Sequence, residues 1–407
     1  MNKKIYIAAG FNTEFMGPGR NEFNPKESMP GFEYYLKKAA DGCLAQIPNP
    51  EFDEGIISNF MAPRFVKQGN LAGFLPEYVP SLLYKPCFRA EGACGSGGLA
   101  INMAVKSILA GAADSVYVTG FEIQNTVKAL YGADILAGAA YHAGERKNGH
   151  AFFFPGIFSD RAGACYEKFG YEKMRKGMAK WYENAVLNAR KYEKAQEFHN
   201  SRNDLFELGM SKPDGRRFVD HLNLFDCSKV SDGASSLAVF SEEGLKRAGI
   251  KTENAIEVLA IQSCEGNITK RPDDPTELTT TRKCAETTFK KAGIGVKDLD
   301  VLEVHDCFSI TGLLALEALG AVPKGQSAEF VFEGNTFVDG DLPTNLSGGL
   351  CGFGHPTGAT GVRQMVDLHS QLSGKAENQA KINNGLGFMV SMGGNDKTLT
   401  AVAVKKS

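Results

Sequence analysis

Apolar positions follow two rhythms along this chain, and their alternation predicts an α/β protein. Short apolar runs bounded by turn residues predict strands over Ile5–Ala9, Glu54–Phe60, Ser115–Thr119, Ser236–Phe240, Glu257–Gln262, Leu299–Val304 and Gly387–Ser391. Between them, apolar residues three and four apart predict helices. Met29–Ile47 carries Phe32, Tyr35, Leu36, Ala39 and Leu44 on one face. A second helix follows Cys94 and stops at Ala110-Gly111; Glu242–Ala248 is short; Thr276–Ala292 follows Pro275; Ile310–Leu319 is strongly apolar. Asp232-Gly233 reads as a tight turn.

The rhythm breaks from about Glu122 to Val230, where glycine- and aromatic-rich sequence gives way to a charged helical stretch over Glu172–Phe198. This segment is expected to be a loop or cap domain inserted between two parts of one sheet. The expected organisation is therefore 1–121 and 231–255 as a first half, 122–230 as the insertion, and 256–407 as a second half. The halves resemble each other: residues 93–111 and 352–374 each hold a glycine-rich turn with a reactive side chain, then a helix ending in glycine, then a strand. One repeat this long points to a duplicated α/β unit, because solenoid repeats are short and numerous. Two facing halves would aim both glycine-rich turns at one cleft.

Composition narrows the function. In 407 residues the net charge is −2, so nothing global selects nucleic acid or an anionic membrane surface. Nine cysteines without a CxxC pair read as reduced thiols, and MNKKIYIAAG is too short an apolar run for a signal peptide; the expected compartment is the cytoplasm. No GxxxxGK[ST] loop or dinucleotide fingerprint appears, no metal-ligand spacing is present, and no tightly bound cofactor is expected.

Four stretches carry candidate chemistry. Cys94 precedes Gly95, Ser96, Gly97 and Gly98 at the mouth of a helix, where free N–H groups and the helix dipole favour thiolate; the plain reading is a packed thiol. His305 and Cys307 lie two residues apart in HDCFS, at a strand end, where α/β sites form; both also suit a structural role. His355 stands among glycines in GFGHPTGATG, with Pro356 fixing its backbone. Gly393, in SMGGN, offers a backbone N–H to a ligand oxygen or simply makes a turn. Together they suit acyl transfer without a cofactor. Cys94 attacks a thioester once His355 takes its proton, and Cys307 removes a proton α to the carbonyl of a second thioester. His305 and His355 donate to the enolate oxygen, while the N–H groups of Cys94 and Gly393 hold the tetrahedral oxyanion.

These residues resemble the thiolases, acyl-CoA C-acyltransferases, and within them the sterol-carrier-protein-linked kind. GHPTGATG (354–361) is close to the family's GHPxGAxG, residues 93–98 match its nucleophile motif, and FDCSKVSDGAS (225–235) looks like NASGxNDGA. The resemblance places Ser228 against the pantetheine arm of coenzyme A. The chain departs from common thiolases in having HDCF for NEAF and Ser391-Met-Gly393 for a late CxG; Cys307 in HDCF restores the missing cysteine. The resemblance implies two βαβαβαββ halves in an α/β/α/β/α core with a loop domain, acyl-CoA and coenzyme A as substrates, and a homodimer or homotetramer. It also implies a possible small OB-fold/zinc-ribbon partner. The rival readings are a decarboxylating 3-ketoacyl synthase using Cys94, His305 and His355, a non-catalytic subunit, and acetyl transfer to another acceptor.

Overall fold

In the computed structural model, which describes residues 3–27, 29–146 and 149–407, the strands are β1 (Ile5–Asn12), β2 (Glu54–Ser58), β3 (Cys87–Ala90), β4 (Ser115–Glu122), β5 (Gly233–Ser241), β6 (Ile256–Glu265), β7 (Val301–Glu303), β8 (Leu386–Gly393) and β9 (Thr398–Lys406). They form one sheet in the order β3-β2-β4-β5-β1-β6-β9-β8-β7. Read from the two ends inward, β2-β4-β5-β1 and β7-β8-β9-β6 repeat one pattern, parallel in the first pair and antiparallel after it. The duplication read from the sequence is thus present in strand order. Where β3 extends the first half, the second keeps only one parallel bridge, Leu302 to Thr344.

The main helices are α1 (Phe32–Leu44), α2 (Ser96–Leu109), α3 (Phe153–Phe169), α4 (Tyr171–Ala189), α5 (Thr279–Ala292), α6 (Ser309–Ala318) and α7 (Thr360–Leu372). Helix α2 touches β2, β4 and β5 of its own half and β6, β8 and β9 of the other; α7 touches β7 and β8 and also β1, β4 and β5. The sheet therefore encloses α2 and α7 between its halves, with α1 outside one half and α5 outside the other. This is the α/β/α/β/α layering implied by the resemblance. The core between the layers is aliphatic: Ile101, Val105, Ile108, Val362, Met365 and Leu368 meet Ile7, Val116, Val239, Met389 and Val402. Between β4 and β5 the described residues add no strand to this sheet; they supply α3 and α4, which pack against α6. Among the described residues no helix is long and apolar enough to cross a membrane.

Two details differ from expectation. Asp232-Gly233 is not a turn: β5 starts at Gly233, and the Asp232 carboxylate accepts the N–H groups of Gln124 (2.6 Å) and Asn125 (2.9 Å). A side chain that satisfies two loop donors replaces the turn its residue type suggests. The expected strands also end at Ser391, whereas β9 completes the second half.

Glycine at the helix starts sets how closely the halves meet. A Cβ on Gly361 would lie 2.4 Å from the Gly98 nitrogen and 2.8 Å from the Gly97 carbonyl carbon, and one on Gly97 would lie 2.7 Å from the Val362 nitrogen. The first turns of α2 and α7 are in backbone contact, so the loops before them converge. Gly361→Ala is expected to destabilise the fold by about 2–3 kcal/mol, since backbone on both sides has no room to yield; denaturant unfolding measures it.

Candidate active site

The turn that carries Cys94 is a single 3₁₀ turn, Ala93–Gly95, ahead of α2. Ala93 has φ +54°, a left-handed conformation that a side chain adopts only under local constraint. The constraint is visible. Ser96 Oγ donates to the Ala93 carbonyl (2.6 Å) and accepts from the Gly92 N–H (3.0 Å), and Glu91 accepts the Ala93 N–H (2.7 Å). The turn also rests on the end of β8: a Cβ on Gly95 would lie 3.0 Å from the Gly393 nitrogen, and one on Gly393 only 2.1 Å from the Gly92 oxygen. Gly393 thus lies against the Cys94 turn, as its assigned part requires.

From the second half, His355 enters on the loop before α7. Its Nδ1 lies 2.7 Å from Thr360 Oγ1, whose own proton goes to the Pro356 carbonyl (3.1 Å). With the Thr360 proton on the Pro356 carbonyl, Nδ1 is the donor to Oγ1 and Nε2 keeps its lone pair. The His355 N–H donates to Ser231 Oγ (2.9 Å) and Gln124 Nε2 donates to its carbonyl (2.7 Å). Glu122, at the end of β4, accepts from Asn59 Nδ2, Phe60 N, Met61 N, Thr357 Oγ1 and Gly358 N, tying this loop to the first half. Sequence reasoning misses Glu122 because its partners are scattered along the chain. Thr360 was readable five residues after His355 in GHPTGATG.

His305 completes the cluster. Cys94 Sγ and one ring nitrogen each of His305 and His355 all lie within 4.8 Å of one another, and the two imidazoles stand edge to face at 5.2 Å. Both nitrogens of His305 are buried without a partner among the described residues. Buried polar groups are nearly always bonded, so an unpartnered imidazole at a cluster points to a ligand oxygen. Cys307 follows at the start of α6, buried, its Sγ 3.7 Å from Thr311 Oγ1. Ser228 is the neighbour of Cys307: its N–H donates to the Cys307 carbonyl (2.9 Å) beside a Cys227–Phe308 bridge. Cys94, His305 and His355 thus come together, with Gly393 against the Cys94 turn and Cys307, which carries Ser228 beside it, two residues beyond His305.

The expected thiolate at Cys94 needs correcting. Burial, with the neighbouring Cys307 and Glu122 adding to it, raises the Cys94 thiol above its ordinary value. A helix dipole contributes about 0.3–1 kcal/mol at its terminus, and the desolvation of this half-buried thiol, with Cys307 and Glu122 beside it, acts against that gain. Desolvation wins. Burial likewise pushes Cys307 up to about 12. Burial first, then Arg363, lowers His355 to about 3; burial, then His355 and Arg363, hold His305 well below its ordinary value. At rest the cleft contains neutral thiols and neutral imidazoles, so an imidazole must take the Cys94 proton as the sulfur attacks.

This has a pH consequence. Between about 3 and 6.5 the unfolded chain binds a proton at His355 that the folded protein refuses, so stability falls as pH drops through that window. Asp232 and Asp306, raised by burial to about 6, act in the opposite sense. His355→Asn is expected to lose less stability than the parent chain between pH 7 and 5; urea midpoints at both pH values measure it.

A duplicated five-layer α/β core with a cysteine and two histidines converging where its halves meet is the arrangement of a thioester-handling acyltransferase. The comparisons agree. Residues 262–404 match the family model described as Thiolase C-terminal domain-like. The acetyl-CoA acetyltransferase of Methanocaldococcus jannaschii is 32% identical over 363 residues, covering 87% of this chain and 88% of its own. Sterol carrier protein 2 of Rattus norvegicus is 28% identical over 391 residues, 92% of this chain and 66% of its own. The solved Ltp2-ChsH2(DUF35) aldolase superposes with a TM-score of 0.79 at 18% identity, over 99% of this chain and 98% of that one. The chain belongs to the thiolase family and is a coenzyme A-dependent acyltransferase of thiolase type.

Proposed function

We propose that the protein joins acyl-CoA to acetyl-CoA by Claisen condensation, or cleaves 3-ketoacyl-CoA with coenzyme A, through an acyl-enzyme on Cys94. The observation that carries this reading is the convergence of Cys94 with His305 and His355, the former histidine holding two free nitrogens. The Cys94 sulfur attacks the thioester carbon while His355 Nε2 takes its proton. The N–H groups of Cys94 and Gly393 hold the oxyanion. Collapse breaks the bond to coenzyme A, which leaves with the Cys307 proton. The Cys307 thiolate then removes the α-proton of a second acetyl-CoA, and His305 and His355 donate to the enolate oxygen. The carbanion attacks the acyl carbon, and the expelled Cys94 sulfur recovers its proton from His355.

Cys307 separates this reading from a decarboxylating synthase, where loss of CO₂ makes the carbanion and no base is needed. Acetyl-CoA alone should therefore yield acetoacetyl-CoA; a strict requirement for a malonyl thioester would assign the synthase instead. Ser228, adjacent to Cys307, is suited to contact the pantetheine arm. The likeness to a structure titled as a complex with a DUF35 protein supports a small OB-fold/zinc-ribbon partner. Activity of the purified chain, with and without a co-purified partner, tests that. A homodimer or homotetramer in the cytoplasm is the accompanying proposal.

A further inference from the structure

The sequence shows no metal-ligand spacing, because such a spacing requires ligands close together in the chain. The fold supplies what the spacing does not. Cys94 Sγ, one nitrogen of His305 and one nitrogen of His355 lie within 4.8 Å of one another. Three features make this trio a ligand set. His355 is already oriented: Nδ1 is engaged with Thr360 Oγ1 (2.7 Å), which leaves the Nε2 lone pair free, and an imidazole held in this way is how a metal ligand is positioned. His305 is 3% exposed, and neither of its nitrogens has a partner among the described residues, so turning its ring breaks no hydrogen bond. Cys94 is only half-buried, so an ion from solvent reaches the sulfur and the two imidazoles beside it.

The donor atoms say which ion. One sulfur and two imidazole nitrogens select zinc over magnesium or calcium, which take oxygen ligands. The neighbouring carboxylates are committed elsewhere. Glu122 holds five donors, and Asp306 accepts from Trp181 Nε1 (2.9 Å) and Leu350 N (2.8 Å). The nearby cation, Arg363, is covered by Glu303 and Asp367. Zinc bonds of about 2.3 Å to sulfur and about 2.0–2.1 Å to nitrogen put tetrahedral ligands roughly 3.5 Å apart. The trio therefore closes by little more than about 1 Å, a movement that side-chain rotation of Cys94 and His305 supplies around the fixed His355.

We propose that the resting cleft binds one zinc ion through Cys94 Sγ, His355 Nε2 and a ring nitrogen of His305, and that the bound ion excludes a thioester. As the zinc–sulfur bond forms, the thiol proton leaves to bulk water, and a water fills the fourth position. The sulfur that should attack and the nitrogen that should take its proton are then both occupied, so the ion is an inhibitor and no part of the reaction. The exclusion of a thioester rests on the proposed function; the binding of zinc does not.

The test uses the native protein, stripped with a chelator and then given zinc chloride. One equivalent of zinc should slow alkylation of Cys94 by iodoacetamide about tenfold or more, read by peptide mass, while the half-buried Cys87 alkylates at an unchanged rate. Equal alkylation of Cys94 with and without zinc overturns the inference, whatever any variant does. Cobalt(II) in place of zinc should give a thiolate-to-metal charge-transfer band that Cys94→Ala lacks; a band retained in Cys94→Ala overturns it as well. Thr360→Val, which frees the His355 ring, should weaken zinc binding about 10- to 100-fold, and His305→Asn, which removes a ligand, should weaken it further. Unchanged affinity in a folded His305→Asn contradicts the assignment. Zinc should also block acetylation of Cys94 by acetyl-CoA, and a chelator should restore it; acetylation at the same rate with zinc bound refutes the exclusion. Failure of acetyl-CoA to load Cys94 in the metal-free protein would instead reject the proposed function, and the alkylation result would still decide the zinc site.

Discussion

Replacing Cys94 by alanine is expected to cut acyl transfer by about a thousandfold or more while the protein stays folded. The effect is large because the proposed acyl-enzyme forms on this sulfur, while Cys307, on a different element and 3.7 Å from Thr311 Oγ1, is assigned to proton transfer. The fold is spared because the turn is held by Ser96 Oγ, Glu91 and the contact with Gly393, none of which uses the thiol. Thiolysis of acetoacetyl-CoA, followed by loss of its enolate absorbance, reads the activity, and thermal melting reads the fold. Cys94→Ser should be nearly as impaired, because a buried hydroxyl beside a neutral imidazole is a far weaker acid than a thiol. Retained turnover in Cys94→Ala would move the nucleophile elsewhere.

Cys307→Ala separates the two half-reactions. Acylation of Cys94 needs only an acceptor for its proton and donors for the oxyanion, and His355 and the Gly393 turn remain. Carbon–carbon bond formation needs a base at the α-carbon, and the loss of a positioned base costs about 10²- to 10⁴-fold. The variant should therefore hold an acetyl group on Cys94 and fail to release acetoacetyl-CoA. Removing the Cys307 proton also slows departure of coenzyme A, so acylation itself should fall by a smaller factor. Quenched-flow sampling of the acyl-enzyme and of product distinguishes the two steps. Equal loss in both would deny Cys307 a role of its own.

Seven of the nine described strands were legible because each is a short apolar run between turn residues, and α1 and α2 because their apolar faces are regular; β3, with its polar-interrupted CFRA, and β9 were missed. Helix α7 was harder. Its sequence TGVRQMVDLHSQL reads as a surface helix, yet Arg363, Gln364, Asp367, His369 and Gln371 are all buried. Arg363 donates to Ser347 and Glu303 and pairs with Asp367, which also accepts from Asn12. Residues 12, 303 and 347 lie far from 363, so only the folded chain displays the network that lets a polar helix sit between two halves of a sheet. The same holds at the site. Cys94 and His355 stood out by type and by local glycine, His305 and Cys307 by type at a strand end, whereas Glu122 announced nothing. A carboxylate at a strand end looks like a solvated charge until its neighbours are known.

The resting charge state was not legible either. A cysteine ahead of a helix suggests a thiolate when only local dipoles are weighed. The fold sets the half-buried Cys94 sulfur against two buried imidazoles, and desolvation opposes the dipole. Activation therefore belongs to the encounter with the thioester, when the attacking sulfur hands its proton to His355.

The central claim is that one sulfur carries the acyl group and the other moves protons. Incubating the protein with acetyl-CoA, quenching in acid and weighing the proteolytic peptides tests it directly. The peptide bearing Cys94 should gain one acetyl group while Cys307 remains open to alkylation. An unmodified Cys94, or an acetyl group found on Cys307, would contradict it.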